Sequence, residues 1–175
     1  NLIGDDISFE VIIGHGGRYG QVYIATFKGL KVVVKAIHAN FDLNIKVEGK
    51  YFDQEVDHLY SIRHPNIVCF MGVQRENADL VLFVTEYLDG FTLWDLLRSK
   101  ADISFPKRLK LILDAACAIN YLHCQENPIV HCDLKSKDFF VTKTFAMKLR
   151  NIGTMHRLQM KGKISVMPKS VLWLA

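Results

Sequence analysis

The stretch His131-Cys132-Asp133-Leu134-Lys135-Ser136-Lys137-Asp138, followed by Asn151-Ile152-Gly153, decides how this chain is read. Position 151 lies 18 residues beyond Asp133, room for a short hairpin that brings the two loops to one place. Taken alone, Asp133 reads as a turn cap and His131 as a packed core histidine. The surrounding pattern changes that reading.

Upstream, Ile7 to Ile37 alternates β-branched or aromatic residues with polar ones. Breaks at Gly14-His15-Gly16-Gly17 and Lys28-Gly29 predict three antiparallel strands with a glycine-rich first turn. After a polar linker at Asn40 to Lys46, Phe52, Val56, Leu59 and Ile62 fall at helical spacing, and His64-Pro65-Asn66 ends that helix. Two more strands are expected at Ile67 to Val73 and Leu80 to Glu86. Beyond a hinge at Leu88-Asp89-Gly90 the pattern turns helical. Thr92 is placed to cap Leu93 to Arg98, and Leu109, Ile112, Ala116, Ile119 and Leu122 form the apolar face of a longer helix. There are no internal repeats and no low-complexity tract.

Half of the 175 residues are hydrophobic and mean hydropathy is +0.11, which suits one domain with a real core, or one domain and part of another. A net charge of +4 is mildly basic, but the lysines and arginines are scattered, which argues against nucleic acid as a partner. Cys69, Cys117, Cys124 and Cys132 lack metal-ligand spacing and fit a reduced, cytoplasmic protein. No apolar run approaches the roughly 20 residues of a membrane-spanning helix. The opening on Asn1, with neither Met nor a secretory pattern, is expected of an excerpt from a longer polypeptide.

In order and spacing, Gly14-x-Gly16-Gly17, Tyr19-Gly20-Gln21-Val22-Tyr23, Val32-Val33-Val34-Lys35, Glu55, His64-Pro65-Asn66-Ile67-Val68, Thr85-Glu86-Tyr87, His131-x-Asp133-Leu134-Lys135 and x-x-Gly153 together resemble the protein kinase family. The resemblance is closest to the tyrosine-kinase-like, Raf-like branch. Each motif is weak alone, but the colinear set runs from Ile7 to about Pro168. It implies an α+β, bilobal fold: residues 1–87 as an N-lobe with five antiparallel strands and one helix, and residues 88–175 as a partial helical C-lobe.

The resemblance also implies a nucleotide site for ATP and Mg²⁺. Gly14, Gly16 and Gly20 would let backbone N–H groups approach phosphate oxygens, with Val22 over the adenine. Lys35 would hold the α- and β-phosphates, aimed by an ion pair with Glu55. Otherwise these are a hairpin turn, a solvated strand lysine and an exposed helix charge. Thr85 resembles the gatekeeper, backbone groups near Glu86 and Leu88 would meet the adenine edge, and Phe140 would floor the slot. Asp133 would orient the substrate hydroxyl, with Lys135, of the serine/threonine-specific pattern, offsetting charge on the transferring group.

The departures fall where the chemistry is. The family's metal-loop aspartate is Asn151, and the catalytic-loop asparagine is Asp138, so the metal positions still total one carboxylate and one amide. Residual Mg²⁺ is expected on Asp138 and Asn151. Cys132 replaces an arginine that reads activation-segment phosphate, and Arg18 is an apparent insertion in the glycine loop. Val33, where alanine is usual, narrows the slot. Met167-Pro168-Lys169 replaces Ala-Pro-Glu, and the chain reaches Ala175 before the family's later helices, so the Leu109 to Leu122 face is expected to need a protein partner. The favoured reading is a nucleotide-binding pseudokinase with weak or no phosphoryl transfer that acts by binding or scaffolding. The alternatives are an active serine/threonine protein kinase and an inactive, decayed fragment.

Overall fold

Alternation along Ile7–His15 (β1), Gln21–Phe27 (β2) and Leu30–His38 (β3) sends successive side chains to opposite faces, and the three strands pair antiparallel in sequence order. The structure, a computed structural model, describes residues 7–15, 20–38, 50–77, 80–126, 128–131, 134–150 and 156–157, and of 15, 38, 50–55, 77, 156 and 157 only the backbone. Lys28 and Gly29 turn β2 into β3 at φ 49° and 77°, the left-handed geometry of a two-residue hairpin, which a residue without Cβ adopts freely.

Phe70–Asn77 (β4) and Leu80–Glu86 (β5) complete an antiparallel sheet in the order β1-β2-β3-β5-β4. Ala25, Val32, Val34, Ala36, Leu82 and Val84 form a buried cluster on this sheet. Each fully buried valine there contributes about 1.5–3 kcal/mol. The helix Lys50–Ser61 (α1) packs on β4. Val56 and Leu59, with Ile62 just past its end, are buried as expected of its apolar face; the Phe52 side chain lies outside the described residues.

The fourth strand begins at Phe70 rather than Ile67. Ile67 forms a parallel bridge to Leu149, Val68 N–H donates to the Leu149 carbonyl at 2.8 Å, and Cys69 N–H donates to Glu86 Oε1 at 2.7 Å. The bonds to Leu149 draw Ile67 and Val68 away from the sheet, while Cys69 stays beside Glu86 of β5. The chain accordingly divides into two units, Asn1–Arg63 with Cys69–Tyr87, and His64–Val68 with Leu88–Ala175.

The second unit opens with Gly90–Thr92 (β6), Leu93–Arg98 (α2) and Phe105–His123 (α3). Ile129–Val130 (β7), a 3₁₀ turn at Ser136–Asp138, Phe139–Thr142 (β8), Met147–Leu149 (β9) and His156–Arg157 (β10) follow. Thr92 caps α2 as expected: its Oγ1 accepts from Asp95 N–H at 3.1 Å while Asp95 Oδ2 accepts from Thr92 N–H at 3.2 Å. Gly90, expected in a hinge, is instead a strand residue paired with Thr142. A Cβ there would stand 2.1 Å from the Val141 carbonyl oxygen, so only glycine fits that approach.

Helix α3 packs only part of its expected apolar face, with Leu122 buried and Ile119 half-buried. Leu111, Ala118 and Leu122 are buried, whereas Leu109 and Ile112 are 55% and 66% exposed and Ala116 is exposed too. Asp114 sets this rotation, because its Oδ2 accepts from Met147 N–H at 2.9 Å and thereby ties the helix to β9. The architecture is α+β, an antiparallel sheet with few helices, as the sequence implied.

Candidate functional site

Within the first unit, register gathers the expected nucleotide residues onto one sheet face. Val22 pairs with Lys35, and Val33 pairs with Ile24 and with Thr85, so Val22, Val33, Lys35 and Thr85 share that face, opposite the Val32, Val34 and Ala36 cluster. All four are half-buried. Gly14 pairs with Val22 and has open space on its Cβ side, and Gly20 immediately precedes β2. Thr85 Oγ1 lies 3.4 Å from the Val33 carbonyl, a weak contact.

Glu86 is held in place by Cys69, whose carbonyl accepts its N–H at 3.0 Å and whose N–H meets its carboxylate at 2.7 Å. A ligand edge reaching this residue therefore meets its carbonyl. The Glu55 backbone is in α1, but its side chain lies outside the described residues, as does the whole of Gly16. The expected Lys35–Glu55 pair is thus beyond what the structure describes.

In the second unit, Phe140 stands on β8 opposite Thr92 and Lys148, half-buried on the face away from Phe139 and Val141. Leu88 is half-buried, and its neighbour Asp89 is tied to the β8–β9 turn through Lys143, with Nζ 2.6 Å from Asp89 Oδ2 and N–H 3.1 Å from the Asp89 carbonyl. Asp133, Cys132, Asn151, Ile152, Arg18 and Met167-Pro168-Lys169 lie outside the described residues. His131 is buried, 7% exposed.

Lys135 and Asp138 close the 3₁₀ turn on each other. Asp138 N–H donates to the Lys135 carbonyl at 2.9 Å, and Asp138 Oδ2 accepts from Lys135 N–H at 3.1 Å. Asp138 is only 3% exposed. A carboxylate that deep needs compensating charge or hydrogen bonds. Arg150 adjoins the same turn: its backbone N–H donates to the Asp138 carbonyl at 2.8 Å and its Nε–H to the Lys137 carbonyl at 2.9 Å. Burial pushes the Arg150 guanidinium below its ordinary pKa, while the carboxylates of Asp138 and, from α2, Asp95 push it back up. An arginine so placed remains a cation.

These surroundings fit Mg²⁺ poorly. Magnesium takes an octahedron of oxygen ligands and, when bound in such a site, neutralises phosphate charge. At Asp138 one carboxylate oxygen is already on a backbone N–H and an arginine is close by. Among the described residues no group of three or more His, Cys, Asp or Glu could hold a metal. Arg150 is the residue that sequence reasoning passed over. Its signal was a cation immediately before the altered loop at Asn151.

Set beside known proteins, the chain matches the protein kinase domain over residues 7–175. It is 36% identical over 155 residues to a probable serine/threonine-protein kinase of Dictyostelium discoideum, a match covering 87% of this chain and 15% of that protein. Against the probable serine/threonine-protein kinase SIS8 of Arabidopsis thaliana the identity is 37% over 149 residues, 82% of this chain and 14% of the relative. Against the serine/threonine-protein kinase VIK of the same plant it is 35% over 146 residues, 83% of this chain and 32% of the relative. The chain spans less than a third of the length of each.

Proposed function

The chain belongs to the protein kinase domain family, and from that premise we propose that it is a pseudokinase, a domain that binds ATP, transfers phosphate weakly or not at all, and works by holding a protein partner. The observation that carries this reading is the buried Asp138 beside Arg150, where the family resemblance calls for an asparagine that helps hold metal. Asn151 in place of the metal-loop aspartate points the same way. Phosphoryl transfer depends almost wholly on positioning and charge stabilisation, so two altered metal positions weaken it more than any change in the adenine slot.

Nucleotide binding is supported by Val22, Lys35 and Thr85 sharing one sheet face. Phe140 supports a place in the tyrosine-kinase-like, Raf-like branch. The apolar stripe of α3, with Phe105 and Leu113 75% and 60% exposed beside Leu109 and Ile112, supports action through a protein partner. The free thiols of Cys69, Cys117 and Cys124 support cytoplasmic residence, and no described helix is long and apolar enough to cross a membrane.

A second reading, an active serine/threonine kinase, is favoured by the retention of Lys35, Asp133 and Lys135 and by the kinases among its relatives. Radiolabelled transfer from ATP to a generic basic protein separates the two. The pseudokinase reading expects label incorporation no greater than that of Asp133→Asn, and turnover that Asp133→Asn abolishes would establish the active kinase.

A further inference from the structure

Two cations from separate elements of the second unit stand over one indole. The Arg98 guanidinium lies 4.8 Å and Lys137 Nζ 5.0 Å from the ring centroid of Trp94, distances at which a π face attracts a cation. Arg98 follows Trp94 by four residues on α2, one helical turn away. Lys137 comes from the 3₁₀ turn, where its carbonyl accepts from Arg150 Nε–H at 2.9 Å. Both side chains are exposed, and neither has a carboxylate partner among the described residues. The neighbouring acids are engaged elsewhere: Asp95 Oδ2 accepts from Thr92 N–H at 3.2 Å, and Asp138 is buried with its Oδ2 on the Lys135 N–H.

Sharing one ring keeps the two charges within about 10 Å of each other, no more than a Debye length at 0.1 M salt, so an approaching anion meets both fields together. In an extended peptide, alternate residues lie on one side about 6–7 Å apart. Acidic side chains at two such positions can therefore reach both cations, one of them a guanidinium fork that takes a carboxylate bidentately. Leu97, three residues from Trp94 on the same helix, is 67% exposed and offers apolar contact beside the charges. The exposed Asp95 would repel a continuous phosphate backbone, whereas two separate carboxylates leave it in water. We infer that Trp94, Arg98 and Lys137 form a docking surface for an extended acidic segment of a protein partner, with glutamate or aspartate at alternate positions. The inference rests on the partner-holding reading above and adds the partner's chemistry; neither nucleotide nor metal enters it.

Fluorescence anisotropy of a labelled peptide with glutamates at alternate positions, titrated with the full chain, tests this. Saturable binding is expected, weaker by about tenfold when the glutamates are replaced by glutamines. Arg98→Gln or Lys137→Gln alone should lose about threefold and the two together about tenfold, while Trp94→Leu, which keeps both charges but removes the ring, should lose about threefold. Lys107→Gln removes a cation held over a different ring, that of Phe145, and should stay within about twofold of wild type. The double reversal Arg98→Glu with Lys137→Glu should instead bind a peptide carrying lysines at the same positions, a gain that misfolding could not produce. Equal binding of the glutamate and glutamine peptides, an affinity that the paired substitutions leave unchanged, or a single-stranded oligonucleotide that binds more tightly than the glutamate peptide overturns the inference. ATP titration reads the nucleotide half of the proposed function separately, so the loss of either result leaves the other to stand.

Discussion

The sheet face of the first unit and the 3₁₀ turn of the second treat their functional residues in opposite ways. Val22, Lys35 and Thr85 are aimed by ladder register, a device indifferent to which side chain occupies each position. Lys135 and Asp138 are bonded to each other across the turn, and the Arg150 N–H adds a bond to the Asp138 carbonyl. Replacing a residue on the sheet changes one contact, whereas replacing one in the turn rewrites the electrostatics of the whole loop. This contrast explains how a chain can keep the form of its family while its metal positions change.

The comparison can be broken first at β9. Leu149 is fully buried and lies beside the turn, so Leu149→Ala should cost about 3–4 kcal/mol in urea denaturation if the altered segment is packed like a true core; a loss near zero would mean that the turn has decayed along with its chemistry. Next comes Gly90, where a Cβ would meet the Val141 carbonyl oxygen at 2.1 Å. Gly90→Ala should destabilise by about 2–3 kcal/mol, while Gly14→Ala, with open space beside it, should stay within about 0.5 kcal/mol by the same measurement.

Smaller effects sharpen the contrast. Thr92→Ala removes one half of the α2 capping box and should cost about 1 kcal/mol of thermal stability. Val33→Ala widens the slot on the sheet face and should tighten ATP by a factor of about 3 in a binding titration; an unchanged or weakened affinity would count against crowding there.

Much of the fold was legible because local signals and tertiary demands agreed. Alternation plus Lys28-Gly29 located β2 and β3, and Thr92 located the start of α2, since a two-residue turn and a hydroxyl cap carry their geometry in their own chemistry. Helix α3 was legible in extent but only in part in rotation, with Leu122 buried as its apolar face implied and Leu109 and Ile112 left exposed. Leu109, Leu111, Ile112, Leu113, Ala115, Ala116 and Ala118 wrap it almost completely, so periodicity alone chooses no inward face, and Asp114 decided it through a bond to a strand 33 residues away. Ile67 to Cys69 were misread as strand for a like reason: their partners, Leu149 and Glu86, are distant in sequence. At the site, Asp138 was singled out by its motif position and the spacing foresaw the hairpin, but the bond from Arg150 to the Lys137 carbonyl joins residues 13 apart and was not read from the sequence.

The central claim is that the conserved form still holds a nucleotide through the sheet-borne lysine. Isothermal titration of ATP into the chain and into Lys35→Met measures this directly, without reference to turnover. Saturable binding that falls at least about tenfold in Lys35→Met is the expected result. No saturable heat under any cation condition, or equal affinity in the two chains, would contradict it.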